Sequence, residues 1–92
     1  MLYLICYDIP DDRRRNRLAE FLLDYGRRVQ YSVFECSLTK KVLDVVLKGV
    51  VEYTDPEEDS VRVYSLCAEC VASIKAFGPQ RLRELSSAAI VV

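Results

Sequence analysis

The chain has 92 residues, a length that is enough for one domain and leaves no room for a second, and 51% of these residues are hydrophobic. Because it contains no histidine, imidazole general bases, histidine-based catalytic triads and Cys2His2 zinc sites are excluded. The formal net charge of −1 gives no overall sign of nucleic-acid binding. The charge is uneven, however: residues 1–48 contain nine Lys/Arg and seven Asp/Glu, whereas residues 49–92 contain four and seven. A phosphate-binding surface is therefore expected only near the N-terminal arginines.

The N-terminal quarter predicts a strand followed by a helix. The continuous apolar run 2–7 is typical of a strand that is buried on both faces, and it ends at Asp8. Asp11 or Asp12 is expected to cap a helix that reaches about Tyr25 and carries one apolar stripe.

The next part predicts a strand and a second helix. Residues 29–38 are strand material without Gly, Pro or Asn, so we expect one bent strand or a tight kink at Ser32–Val33 in place of a hairpin. Thr39 is a suitable cap for the second helix. Its expected polar face carries i,i+4 charge pairs among Lys41, Asp44, Lys48 and Glu52.

The C-terminal half predicts a solvated acidic loop at 55–60, then strands at 60–66 and 71–77 around a turn that holds Cys67 and Cys70. For this single CxxC, an inert turn is the favoured interpretation, and a redox pair or a metal-ligand pair are the alternatives. The N-terminus lacks a basic region and its apolar run is short, so we expect neither a signal peptide nor a membrane span, and hence a cytoplasmic protein.

Strands that alternate with two helices indicate a two-layer α+β sandwich. Two helices can cover one face of a four-stranded sheet, yet the first strand carries apolar residues on both faces. We therefore expect a second copy of the chain to cover the other face, most simply as a C2 homodimer. The alternative is a tyrosine-rich face that stays in contact with water.

Four arginines open the first helix, where their charge opposes the helix dipole. One interpretation is a phosphate clamp beside Asp8. The other is a solvated, salt-bridged face, because Arg13 and Arg17 share a helical face with Glu20 and Asp24. The arginines assigned to nucleic-acid binding under the first interpretation are Arg13, Arg14, Arg15, Arg17, Arg27 and Arg28.

Asp8 closes an otherwise apolar strand, and a carboxylate is costly to bury unless it is paired or binds a metal. A partner arginine is one explanation. A Mg²⁺ site is the other, because hard cations prefer oxygen ligands. One carboxylate per chain is few for a metal ion, so this second explanation requires two copies of Asp8 to meet near a dimer axis.

The segments LYLICYDIPDDRRRNRLAEFL, RVQYSVFEC and VRVYSL, in this order and at this spacing, resemble the CRISPR-associated protein 2 family, the small subunit of spacer acquisition. The resemblance implies a ferredoxin-like βαββαβ core over residues 1–78 and a homodimer that packs through its sheets. It also implies that residues 79–92 form a tail whose short strand joins the partner's sheet.

The same resemblance implies a metal-dependent endonuclease that hydrolyses single-stranded RNA or double-stranded DNA in spacer acquisition and antiviral defence, together with the CRISPR integrase. It makes Asp8 the catalytic residue and assigns Mg²⁺ to Asp8 of both protomers, with supporting positions at Tyr7, Ser32 and Phe34. Two other functions stay open: a non-catalytic DNA-binding scaffold of the integrase complex, and a small regulatory dimer that binds no nucleic acid. No residue stands out as a general base.

Overall fold

The computed structural model describes residues 1–78, so the predicted tail with its C-terminal strand, residues 79–92, lies outside the described residues. The sheet has four antiparallel strands in the order β2-β3-β1-β4, and the βαββαβ order of the ferredoxin-like sandwich is confirmed. The elements in chain order are β1 (Leu2–Asp8), α1 (Asp12–Leu23), β2 (Arg27–Gln30), β3 (Val33–Ser37), α2 (Lys40–Tyr53), β4 (Ser60–Leu66) and α3 (Ala68–Ala72).

Both long helices begin at the predicted caps. The Asp11 carboxylate accepts a hydrogen bond from the backbone N–H of Arg14 at 2.9 Å, and the Thr39 hydroxyl accepts one from the N–H of Val42 at 3.2 Å. Helix α1 ends at Leu23, slightly before the predicted end. Within residues 1–78, none of the helices is both long and apolar enough to cross a membrane.

Helices α1 and α2 cover the same face of the sheet. Leu18 and Leu22 of α1 and Val46 of α2 are fully buried in one cluster with Ile5 and Phe34 of the sheet. The predicted apolar stripe of α1 is therefore confirmed. The other buried members of the cluster are Tyr3, Tyr7, Ile9, Ala19, Cys36, Leu38 and Val50.

The opposite face of the sheet is covered by neither long helix. Side chains alternate along a strand, so Leu4, Cys6 and Asp8 lie on this open face, and Tyr64 pairs with Leu4 in register. Leu4 and Cys6 are half-buried, Asp8 is exposed, and Tyr64 is 45% exposed. In the single chain β1 is therefore shielded by helices on one face only, and the predicted burial of its other face depends on a second copy of the chain.

The segment 29–38 forms a hairpin, so the alternative of one bent strand is wrong. The chain does make a tight turn, but at Tyr31–Ser32, one residue before the expected kink at Ser32–Val33. Strand β2 begins earlier than predicted, at Arg27, which leaves room for two short strands around a two-residue turn of Tyr31 and Ser32. A bulge in β2 accompanies this turn. No described residue other than glycine has a positive φ, so the turn forms without the Asn-Gly geometry whose absence argued against it.

The strand predicted over 71–77 is also wrong, because its first residues belong to α3. The N–H of Val71 donates to the carbonyl of Cys67 at 2.9 Å, which is helical spacing, and the Val71 side chain is buried. Short apolar runs fit a helix or a strand equally well. Cys67 and Cys70 therefore follow a strand directly and enter a helix, whereas the sequence pattern indicated a turn between two strands.

Candidate functional site

The predicted site residues gather at one edge of the sheet. Strand β1 ends there with Asp8, which is in register with Ser60 at the start of β4. The β2–β3 turn reaches the same edge, where the backbone N–H of Tyr7 donates to the carbonyl of Ser32 at 3.1 Å. Helix α1 also begins here. We call Asp8, Ser60 and the turn residues Tyr31 and Ser32 the polar edge.

Asp8 lies in an open cleft of the polar edge. The cleft is lined by Cys6, Tyr7, Ser60 and Arg62 as well as by Asp8 itself. The Asp8 carboxylate is exposed and forms no hydrogen bond or ion pair with any other residue of the range 1–78. An arginine partner therefore does not explain Asp8 in the single chain, and the burial cost that suggested such a partner does not arise.

The oxygen atoms beside Asp8 suit a hard cation in kind but are few in number. The Asp8 carboxylate and the neighbouring Ser60 hydroxyl are oxygen ligands of the type that Mg²⁺ takes. Nowhere in residues 1–78, however, do three or more Asp, Glu, His or Cys side chains come together as a metal site. A Mg²⁺ site formed by Asp8 of two copies of the chain stays a prediction.

Arg14 is fixed in a structural ion-pair cluster. Its guanidinium donates twice to the Asp59 carboxylate, at 2.8 and 3.0 Å, and once to Glu58 at 3.0 Å. The Asp59 side chain is fully buried and also accepts from the N–H of Asp55 at 2.8 Å. The Arg14 hydrogen bonds hold the pKa of Asp59 below its usual range. The acidic segment, expected to be a solvated loop, is thus tied to α1 through Asp59.

Arg15 and Arg28 converge on the exposed ring of Tyr31. Their guanidinium carbons lie 5.7 and 5.8 Å from the centre of that ring, within cation–π range. Arg15 also pairs with Asp12 and donates to the carbonyl of Ile9 at 3.0 Å. Its buried Nε–H has no hydrogen-bond partner among residues 1–78. Arg15 is thus held next to Ile9, the residue that follows Asp8, and Arg28 lies on the other side of the cluster against Phe34.

The remaining arginines differ in how free they are. Arg13 and Arg17 are exposed and form no ion pair within the described chain. Arg17 lines a cleft with Glu20 and Asp24, but the salt bridges expected on this face are not formed. Arg27 lies 3.7 Å from Glu35, across the β2–β3 pair.

The predicted supporting residues hold the turn in place. Tyr7 is buried, stacks on Phe34 with ring centres 6.3 Å apart, and donates from its hydroxyl to the Tyr31 carbonyl at 3.5 Å. Ser32 contributes its backbone carbonyl to Tyr7. Sequence reasoning missed Tyr31 itself. The available signal was a large aromatic residue between two polar ones in a segment that had to turn.

Three comparisons place this geometry among known proteins. The family model for CRISPR associated protein Cas2 matches residues 1–74. The chain belongs to the Cas2 family. A relative from Synechocystis sp., named as a CRISPR-associated endoribonuclease Cas2, is 43% identical over 90 residues, covering 98% of each chain. The crystal structure of Streptococcus pyogenes Cas2 at pH 6.5 matches with a TM-score of 0.76 and 31% identity, covering 85% of this chain and 100% of that one.

A further Cas2 structure comes from an assembly. It is described as a partial Cas6-RT-Cas1–Cas2 complex and matches with a TM-score of 0.65 and 33% identity, covering 82% of this chain and 88% of that one. The resemblance seen in the sequence is therefore confirmed at the level of family and fold. The Asp8 and arginine assignments stay predictions.

Proposed function

We propose that this Cas2-family chain works as a homodimeric, Mg²⁺-dependent endonuclease on RNA or DNA during CRISPR spacer acquisition and antiviral defence. The observation that carries the proposal is the Asp8 carboxylate, which is exposed and unpaired at the end of β1 in a cleft with Ser60. A free carboxylate there has no structural task in the single chain. The name of the Synechocystis relative supports nuclease chemistry.

The homodimer is supported by the open face of the sheet. Leu4, Cys6 and Tyr64 leave apolar area there that neither α1 nor α2 covers. Packing two sheets face to face buries such area and brings together two copies of the polar edge. Sedimentation should give a dimer at micromolar concentration, and a stable folded monomer at that concentration would contradict this proposal.

In this dimer Asp8 of both protomers would hold Mg²⁺, with the Ser60 hydroxyl in the same cleft. When bound, the ion supplies charge neutralisation at a phosphoryl oxygen and a more acidic bound water. The protein's own part is to place the carboxylates at the end of rigid β1 strands. Arg15 and Arg28, set around Tyr31, bind the flanking phosphates and stabilise negative charge that develops during hydrolysis.

The cleft around Asp8 contains no residue that stands out as a general base. The other side chains that line it are those of Cys6, Tyr7, Ser60 and Arg62, and the chain has no histidine. Cleavage should therefore be slow and faster at alkaline pH, because hydroxide then takes the place of a protein base.

The experiment is Asp8→Asn, assayed on labelled single-stranded RNA and double-stranded DNA with Mg²⁺ or with EDTA. Asn keeps the shape but is a weak ligand for a hard cation, so Mg²⁺-dependent cleavage should fall about 100-fold or more. The Tm should stay the same or rise, because Asp8 forms no pair that is lost. Asp44→Asn, an exposed carboxylate on α2, is the matched control and should cleave normally. A mutant that cleaves at the wild-type rate contradicts the catalytic role.

A second function, a non-catalytic DNA-binding scaffold of the CRISPR integrase, is favoured by two observations. Nowhere in residues 1–78 do three or more metal-ligating side chains come together, and a related Cas2 was solved in a complex with Cas1. The same Asp8→Asn protein separates the two functions. If wild type cleaves neither substrate but both proteins bind DNA and the integrase subunit equally, the scaffold is correct. Failure to bind nucleic acid at low salt favours a regulatory dimer.

A further inference from the structure

Cys67 and Cys70 form an exposed thiol pair that the proposed function does not use. Their Sγ atoms lie 3.4 Å apart, within sulfur hydrogen-bond distance, and both residues are exposed. Cys67 follows the edge strand β4 directly, and Cys70 lies in α3, whose Val71 anchors it with a side chain that is 2% exposed. The two sulfur atoms are therefore held side by side at the surface by a fixed strand–helix junction.

The other two cysteines are less accessible than this pair. Cys36 is buried, and burial together with the charge of Glu35 raises the pKa of its thiol to about 11. Cys6 is half-buried on the open face. In the pair, by contrast, the backbone N–H and the thiol of Cys70 lower the pKa of Cys67, while the Cys67 thiol raises the pKa of Cys70. The lower pKa makes Cys67 the more readily ionised of the two adjacent thiols, and hence the first nucleophile.

We propose that Cys67 and Cys70 are a dithiol site that reacts with small-molecule disulfides and switches between a dithiol and an intramolecular disulfide. The Cys67 thiolate attacks one sulfur of the disulfide, its S–S bond breaks, and one thiolate leaves. Cys70 then loses its proton and attacks Cys67 in the mixed disulfide, which releases the second thiolate. Both departing thiolates take up the protons lost by the two cysteines. The pair is oxidised by two electrons and the small disulfide is reduced to two thiols.

This geometry favours a labile bond over a structural one. The ring that the bond closes spans four residues, so it removes little entropy from the unfolded chain. Both sulfur atoms are accessible to a small disulfide and to a reducing thiol. Exposed pairs of this kind exchange readily, whereas buried bridges resist reduction. Forming the bond would fix the junction between β4 and α3.

The experiment equilibrates the full-length protein in buffers of oxidised and reduced glutathione, traps free thiols with iodoacetamide, and digests with trypsin. Cleavage after Arg62 and Lys75 yields one peptide that carries both Cys67 and Cys70 and neither other cysteine. As the buffer becomes more oxidising, this peptide should lose both alkylation sites together. Its mass should then be 2 Da below that of the unalkylated dithiol peptide, because each thiol has lost one hydrogen. The peptides that contain Cys6 or Cys36, alkylated after the protein is unfolded, should each show the same extent of alkylation at every ratio of oxidised to reduced glutathione.

Single variants test whether both thiols are needed. Cys70→Ser should stop at a glutathione adduct on Cys67, and Cys67→Ser should stop at an adduct on Cys70, because each variant lacks the second thiol that resolves the mixed disulfide. Cys6→Ser is the control and should behave as wild type. The proposal is overturned if wild type accumulates glutathione adducts without the lighter peptide. It is also overturned if the native pair resists the most oxidising buffer, or if added Zn²⁺ binds the pair stoichiometrically and blocks its oxidation.

Discussion

Arg14 and Arg17 lie on the same helix, yet one is fully engaged and the other is free. Arg14 is bound to Asp59 and Glu58 of the loop before β4, whereas Arg17 is exposed and forms no ion pair within residues 1–78. Arg14 precedes the buried Leu18 by one helical turn and so lies beside the core-facing stripe. A run of arginines is therefore not one electrostatic surface, and helical position decides which charges can meet a phosphate.

The largest expected effect comes from reversing the two free charges. The double variant Arg13→Glu and Arg17→Glu should weaken RNA or DNA binding on the order of 100-fold, equally for all sequences, because each lost phosphate contact also forgoes counterion release. The slope of log affinity against log salt should flatten by about 2 for duplex DNA. The Tm should not change, because neither guanidinium forms an ion pair within residues 1–78.

A matched control reverses the same number of charges elsewhere. Lys41 and Lys48 are exposed on α2, so their double change to Glu alters the net charge of the chain equally. Fluorescence anisotropy over a range of salt concentrations measures both proteins. Equal loss of affinity in the two double variants would mean that net charge matters and that the free arginines have no special position.

The opposite pattern is expected for the engaged arginine. Asp59→Asn removes the charge that Arg14 binds in a fully buried side chain and should lower the Tm by about 5–10 °C. Binding of nucleic acid should stay close to wild type. Glu58→Gln is the control: its side chain is 62% exposed, so the Tm should change by less than about 3 °C. An unchanged Tm in Asp59→Asn would show that the cluster does not stabilise the fold.

The same pair predicts a pH dependence. The Arg14 hydrogen bonds lower the pKa of Asp59 in the folded state, so the ionised carboxylate favours folding above the unfolded pKa of about 3.9. This contribution is complete at pH 7, declines below about pH 4, and is lost as the pH falls through the folded pKa. Thermal unfolding of wild type and Asp59→Asn should therefore give Tm values that differ at pH 7 and converge toward pH 3. A constant difference would assign the stabilisation to packing.

Local signals in the sequence predicted much of the fold, but they did not show which arginines are engaged in ion pairs and which are free. Asp11 and Thr39 were recognisable as caps because capping depends on neighbours in the chain. The Arg14–Asp59 contact joins residues 45 positions apart, so only the folded chain shows that this charge is used. The residues alone left the β2–β3 hairpin in doubt, because its turn contains no Gly, Pro or Asn and is held by a tertiary hydrogen bond from Tyr7. Helix α3 was missed because its short apolar run fits either element.

The smallest expected effect concerns Arg15 and Arg28, which share the ring of Tyr31. Arg15 pairs with one exposed carboxylate, that of Asp12, whereas Arg14 binds two, one of them buried. The guanidinium groups of Arg15 and Arg28 lie over the ring of Tyr31, and a cation–π contact at an exposed site is worth about 0.5–1 kcal/mol. Tyr31→Leu should therefore weaken nucleic-acid binding by about two- to fivefold, because the two side chains lose their fixed positions.

Tyr31→Phe is the matched control, since it keeps the aromatic ring. The hydrogen bond from Tyr7 to this turn goes to the backbone carbonyl of Tyr31, so neither change removes it and the hairpin should persist in both variants. Anisotropy titrations at low salt should find Tyr31→Phe equal to wild type and Tyr31→Leu weaker. If Tyr31→Leu binds as tightly as wild type, Arg15 and Arg28 act as mobile charges. They would then bind phosphate in the same way as Arg13 and Arg17, from a different position on the surface.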